Sequence, residues 1–110
     1  MMSIIGVIIE ISGGNKRNHH FYLRDAQFLF PPSVIGGGNE SEKADEDLTA
    51  EFVPGPTIRT DIAGNKMILR NRAAVREFFD RAAIDEGDRI AIERVDRAAL
   101  RVSKFSAGSR

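Results

Sequence analysis

Between Arg72 and Val95 the sequence changes its hydrophobic period across one short turn, and that change restricts what the chain can fold into. Val75, Phe78, Phe79 and Ala82 fall at i, i+3, i+4 and i+7, with Arg76, Glu77, Asp80 and Arg81 on the opposite face. This is the repeat of an amphipathic helix. Asn71 stands at its start as an N-cap, and Ile84-Asp85-Glu86-Gly87-Asp88 ends it in a turn where glycine accepts a positive φ without a Cβ clash. From Arg89 the period is two: Ile90 and Ile92 on one side, Arg89, Ala91 and Glu93 on the other. A helix that feeds a half-buried strand through a tight turn needs a sheet to receive it.

The rest of the chain supplies candidate strands. Ile4 to Ser12 reads as a first, buried strand, Gly13 to Asn18 as a turn or loop, and His19 to Leu23 as a second extended piece. Asp25 can cap a helical turn before Pro31-Pro32, and Gly36-Gly37-Gly38 opens a flexible acidic loop over residues 36–47. Leu48 to Val53 reads as a strand closed by Pro54-Gly55-Pro56. Ile58 to Ile62 and Lys66 to Leu69 read as two strands joined by Ala63-Gly64-Asn65. Arg89 to Val95 and Ala99 to Phe105 pair around Asp96-Arg97, and residues 106–110 form a frayed tail. About seven strands with one or two short helices, in no alternating order, predict a mainly β, barrel-like fold. At 110 residues, this is one domain over 1–110.

Composition excludes more than it assigns. With no cysteine there is no disulfide framework or thiolate chemistry, and with only the adjacent His19 and His20 a conventional zinc site has too few ligands. The apolar start lacks a basic region and is interrupted by Glu10, and no segment approaches a membrane span, so a cytoplasmic protein without membrane partners is expected. Neither Gly13-Gly14 nor Gly36-Gly37-Gly38 fits a nucleotide fingerprint. Many metal-dependent nucleases place an acid two residues before a lysine, but Lys16, Lys43, Lys66 and Lys104 follow Gly14, Ser41, Gly64 and Val102 at that spacing. The reading is therefore not an enzyme, and no cofactor or metal is expected.

The 16 basic and 16 acidic residues cancel in sum but segregate along the chain. Glu40 to Glu51 holds six acids and one base, whereas Arg59 to Arg76 holds five bases and one acid. A polyanion responds to that segregation, because salt screens charges beyond roughly 8–10 Å. Two polar arms stand out. The first carries Asn15, Lys16, Arg17, Asn18, His19, His20, Tyr22 and Arg24; the second carries Arg59, Thr60, Asp61, Asn65, Lys66, Arg70, Asn71 and Arg72. Arginine suits guanine edges, asparagine suits adenine, and Asp61 suits a cytosine amino group. Their structural alternatives are a solvated hairpin tip, an exposed strand surface and, for Asn71 and Arg72, helix capping.

The order Phe30-Pro31-Pro32-Ser33-Val34-Ile35, Leu48-Thr49-Ala50-Glu51-Phe52, Ile58-Arg59-Thr60-Asp61, Phe78-Phe79 and Gly87-Asp88-Arg89-Ile90-Ala91-Ile92 resembles the B-three DNA-binding pseudobarrel of plant transcription factors. It is still more similar to the related effector domains of bacterial restriction endonucleases of the EcoRII type. Arg70-Asn71-Arg72 replaces the aromatic signature that plant members carry before the helix. The resemblance implies a seven-stranded open pseudobarrel that clasps the major groove between an N-arm, Asn15 to Arg24, and a C-arm, Arg59 to Asn71. It also implies a sequence-specific, double-stranded DNA-binding module, monomeric and without catalysis of its own, either free-standing or working with a separately encoded nuclease or methyltransferase. The rival expectation is a protein-interaction or oligomerising module, to which neutral charge and the acidic Glu40 to Glu51 segment are equally suited.

Overall fold

The computed structural model describes residues 5–106. Its elements run β1 (Ile5–Glu10), α1 (Gly13–Asn18), β2 (Ile35–Gly36), β3 (Leu48–Val53), β4 (Thr57–Thr60), β5 (Ile62–Ala63), β6 (Ile68–Leu69), α2 (Arg72–Arg81), β7 (Arg89–Asp96) and β8 (Ala99–Phe105). Short 3-10 turns over Arg24–Leu29, Pro32–Val34 and Glu40–Glu42 fill the connections. Among the described residues the fold is mainly β, with eight strands in two mixed sheets, neither of them closed. The larger sheet has the order β1-β7-β8-β3-β4, antiparallel except where β3 and β8 run parallel. The smaller has β5 between a parallel β2 and an antiparallel β6.

Alternation along the strands of the larger sheet divides it into two faces. Leu48, Ala50 and Phe52 of β3, Ile90 and Ile92 of β7, and Leu100 and Val102 of β8 turn to one side and are buried. Helix α2 lays Val75, Phe78 and Phe79 over that side, with Phe78 5.3 Å from Phe52 between ring centroids. Ile62 and Leu69 of the smaller sheet, and Ala26 and Leu29 of the 3-10 turn, join the same core. The opposite face carries Thr49, Glu51, Ala91, Glu93, Arg101 and Ser103, all partly exposed.

The helix after Asn71 and the strand after Gly87 follow the sequence periodicity. Asn71 Oδ1 accepts from Ala74 N at 3.1 Å, and Gly87 has φ 92°. Helix α2 ends in a Schellman motif: Ile84 N donates to Phe79 O at 2.9 Å and Ala83 N to Asp80 O at 3.3 Å, with Ala83 at φ 53°.

Four local expectations are corrected. Gly13 to Asn18 is a helix, because Ser12 and Asn15 exchange side-chain and backbone hydrogen bonds as a reciprocal capping box. His19 to Leu23 is not a strand; His19 turns left-handed at φ 54° to end α1, and the segment reaches the β5–β6 turn through Leu23 N to Met67 O at 2.7 Å. The strand expected over Ile58 to Ile62 breaks at Asp61, so that β4 and β5 belong to different sheets. The first strand is an edge rather than a buried strand, with Ile8 46% exposed. Of that strand Ile4, and of the expected tail residues 107–110, lie outside the described residues.

The glycine and acidic segment is tied to the body. Gly37 N donates to Glu42 O at 2.7 Å, and Gly64 N to Gly36 O at 3.0 Å. A Cβ at Gly36 would meet Glu42 O at 2.5 Å and Ala44 N at 2.6 Å, so only glycine lets the two backbones approach this closely.

Candidate functional site

Asp61 and Arg70 lie on either side of the β5–β6 hairpin and are engaged with each other. Arg70 Nε and Nη2 donate to the Asp61 carboxylate at 2.6 and 3.0 Å, and both side chains are over nine-tenths buried. Arg70 also donates to Gly37 O at 2.8 Å and Asn39 O at 2.9 Å, while Asp61 Oδ2 accepts from Ala44 N at 2.7 Å. Burial opposes ionisation of Asp61, but the Arg70 and Ala44 hydrogen bonds outweigh it and hold the carboxyl below its ordinary range. The pair is a clamp that fastens residues 37–44 to the small sheet. The structure thus gives Asp61 and Arg70 an internal structural role.

Several other arm residues are committed in the same way. Asn15 is buried in the capping box, and Asn71 caps α2. Lys16 Nζ donates to Ile84 O at 2.5 Å, pinning α1 to the turn before β7. Thr60 Oγ1 donates to Asp61 O at 3.4 Å. Arg59 is exposed on β4 but sits 3.3 Å from Asp47, inside the acidic segment. Arg24 stacks over the Tyr22 ring at 4.7 Å.

The remainder come together. Arg17, Asn18, His19, Arg72, Ala73 and Arg76 line a depression of about 370 Å³ at the N-terminal end of α2. A neighbouring depression of about 230 Å³ is lined by Asn65, Lys66 and Arg72 together with Gly38, Glu40 and Arg70. Arg72 belongs to both, so the N-arm and the C-arm form one continuous face. Arg17, Asn18, Asn65, Lys66, Arg72 and Arg76 are all exposed there. Among the described residues seven ion pairs occur, and none involves Arg17, Lys66, Arg72 or Arg76. Among the described residues these four guanidinium or ammonium groups have no carboxylate at ion-pair distance, and Glu40 shares the lining of the smaller depression with Lys66 and Arg72.

His20 lies behind this face, only 5% exposed, against Tyr22 with ring centroids 5.1 Å apart. Its Nδ1 is buried and has no hydrogen-bond partner among the described residues. Burial, followed by the charges of Lys66 and Arg72, lowers its pKa below the ordinary histidine value, so the ring is neutral at pH 7.

Arg76 belongs to the face although neither arm contained it. The signal was present, since Arg72 and Arg76 are spaced i, i+4 and share one side of α2. Among the described residues no three His, Cys, Asp or Glu side chains gather into a metal site, and no helix is long and apolar enough to cross a membrane. The sequence matches no protein-family model and no curated protein.

Proposed function

We infer that the protein binds double-stranded DNA through the face shared by α1, the β5–β6 hairpin and the N-terminal turn of α2. The observation that carries this reading is the gathering of four cations, Arg17, Lys66, Arg72 and Arg76, that have no ion-pair partner among the described residues, in a chain of zero net charge. Cations without carboxylate partners suit a phosphate backbone. The N-terminus of α2 adds partial positive charge at the same place. Asn18 and Asn65, exposed on either side of Arg72, are the side chains suited to base edges, with Arg17 for guanine. The finer architecture proposed is an open pseudobarrel of the B-three and restriction-effector type. In it the two arms converge on one face, and the acidic segment beside Arg59 lies outside the contact. The module reads sequence in the major groove without catalysing a reaction, and a separately encoded nuclease or methyltransferase is the natural recipient of that recognition.

The test is selection from randomised duplex DNA at two salt concentrations, followed by anisotropy titration of the enriched duplex. Enrichment of a short motif, bound with a salt slope of about −0.9 per phosphate contacted, is expected. Absence of retention at low salt would reject duplex DNA as the ligand. Binding that is indifferent to Arg72→Ala and Arg76→Ala would reject this face.

A further inference from the structure

Strand β1 ends the larger sheet, and its outer side has no strand beside it among the described residues. Ile11, next in line after β1, directs both main-chain groups toward β7: its N–H donates to Asp88 O and its carbonyl accepts from Gly87 N, each at 2.8 Å. Main-chain groups alternate in direction along a strand, so Ile5, Val7 and Ile9 also turn theirs toward β7. Gly6, Ile8 and Glu10 turn theirs outward, and no backbone hydrogen bond to another described residue outside the β1–β7 ladder engages them. What such an edge accepts is another strand.

The opposite edge, β4, is short, follows Pro54-Gly55-Pro56 and carries the charged Arg59. Strand β1 is longer and carries a charge only at its last residue, Glu10: it reads Ile-Gly-Val-Ile-Ile-Glu, without proline, lysine or a bulge. Exposed apolar side chains also collect here. Arg94 is paired with Ile5, donates to Phe28 O at 3.5 Å and precedes Val95. Ile5, Phe28 and Val95 are 40%, 58% and 42% exposed, and Ile8 lies farther along the same edge.

The sequence of β1 selects its own copy. A two-fold axis that joins two antiparallel edges in one sheet keeps both cores on the same side, so only residues of like face can oppose one another. Centred on Val7, that register sets Ile5 against Ile9 and Gly6 against Ile8, with no charged residue among these pairs. Centred on Ile8, it sets Glu10 against Gly6, where Glu93 Cγ already lies 3.2 Å from the position of a Gly6 Cβ. That arrangement brings two carboxylates together twice per dimer. We propose that the protein forms a two-fold dimer through antiparallel pairing of β1 with β1, centred on Val7, making one sheet continuous across both copies. This departs from the single-copy expectation and does not depend on DNA binding.

The chain contains no cysteine, so a single introduced thiol reports on one contact alone. In the Val7-centred register the two Val7 residues form a non-hydrogen-bonded pair about 4.5 Å apart at Cα, within the roughly 4.4–6.8 Å that a disulfide spans. Light scattering on the full chain should give twice the 12.2 kDa monomer mass at high concentration. Val7→Cys should cross-link under mild oxidation much faster than Ile8→Cys, and Ile8→Lys, at an exposed position, should return the mass to that of one chain with an unchanged circular dichroism spectrum. A single-chain mass up to several hundred micromolar would overturn the proposal. So would faster cross-linking of Ile8→Cys, or a dimer that survives Ile8→Lys without Val7→Cys cross-linking.

Discussion

Arg70 holds Asp61 with two donors of its guanidinium fork, at 2.6 and 3.0 Å, and with the rest of the same group fastens the Gly37 and Asn39 carbonyls. One side chain therefore closes the hairpin that carries Lys66 and fixes the segment that carries the acids.

Removing one partner of this clamp should be severe. Arg70→Ala leaves a buried carboxylate and two carbonyls without donors, a loss of about 3–5 kcal/mol by comparison with other broken buried pairs. The double replacement Asp61→Leu with Arg70→Met should cost less than Arg70→Ala alone. Urea denaturation of the three chains measures this; a double variant as unstable as Arg70→Ala would show that the carbonyl contacts outweigh the ion pair.

The clamp also sets an acid limit. The Asp61 carboxyl is held below its ordinary value, so its contribution is present above the unfolded pKa of about 4 and is lost as pH falls through the folded one. Melting temperatures of the native chain should fall from about pH 4 downward. Asp61→Asn, less stable at pH 7, should lose less over the same interval.

At the end of α2, Ala83 occupies a left-handed position, φ 53°, with its side chain exposed. Glycine carries no Cβ penalty there, so Ala83→Gly should stabilise the fold by up to about 1 kcal/mol, read from the denaturation midpoint at unchanged slope. At the other end, Asn71→Ala should remove about 1 kcal/mol by freeing the Ala74 N–H.

For DNA, Arg72→Ala or Arg76→Ala should weaken binding to all duplexes alike and lower the salt slope by about 1. Arg17→Ala should cost about 1–3 kcal/mol and relax one base position. Arg59→Ala should change affinity less than any of these, because Asp47 already occupies that guanidinium. Anisotropy titrations over a salt series separate the three outcomes.

His20 links this binding to pH. Lys66 and Arg72 help depress its pKa, and phosphates neutralising those cations relieve that part of the depression. Binding then takes up a proton, so affinity should rise as pH falls below the ordinary histidine value of about 6.5, and His20→Gln should abolish the dependence.

The sequence disclosed the parts whose order is local. The Val75, Phe78, Phe79 stripe and the Ile90, Ile92 alternation are written in neighbouring residues, and the structure contains both elements with their cap and turn. The α1 helix was hidden because Gly13-Gly14-Asn15 has turn-forming composition; reciprocal bonds between Ser12 and Asn15, with the Lys16 tether, override that propensity. The Asp61–Arg70 clamp was not legible, because nothing in their spacing reveals that a hairpin folds one onto the other. The concave basic face was half legible: Arg17, Lys66 and Arg72 lay in the arms, while Arg76 stood among the residues assigned to the outer side of a helix.

Strand β8 enters the sheet between β7 and β3, pairing with its sequence neighbour on one side and, in parallel, with a strand some fifty residues earlier on the other. Until it docks, β1 with β7 and β3 with β4 are two unconnected antiparallel pieces. The sheet therefore becomes one object only when its final inner strand is present. Loop closure must precede that long-range pairing, so this domain should assemble late and slowly during synthesis, with the β3 flank open to wrong partners in the interval.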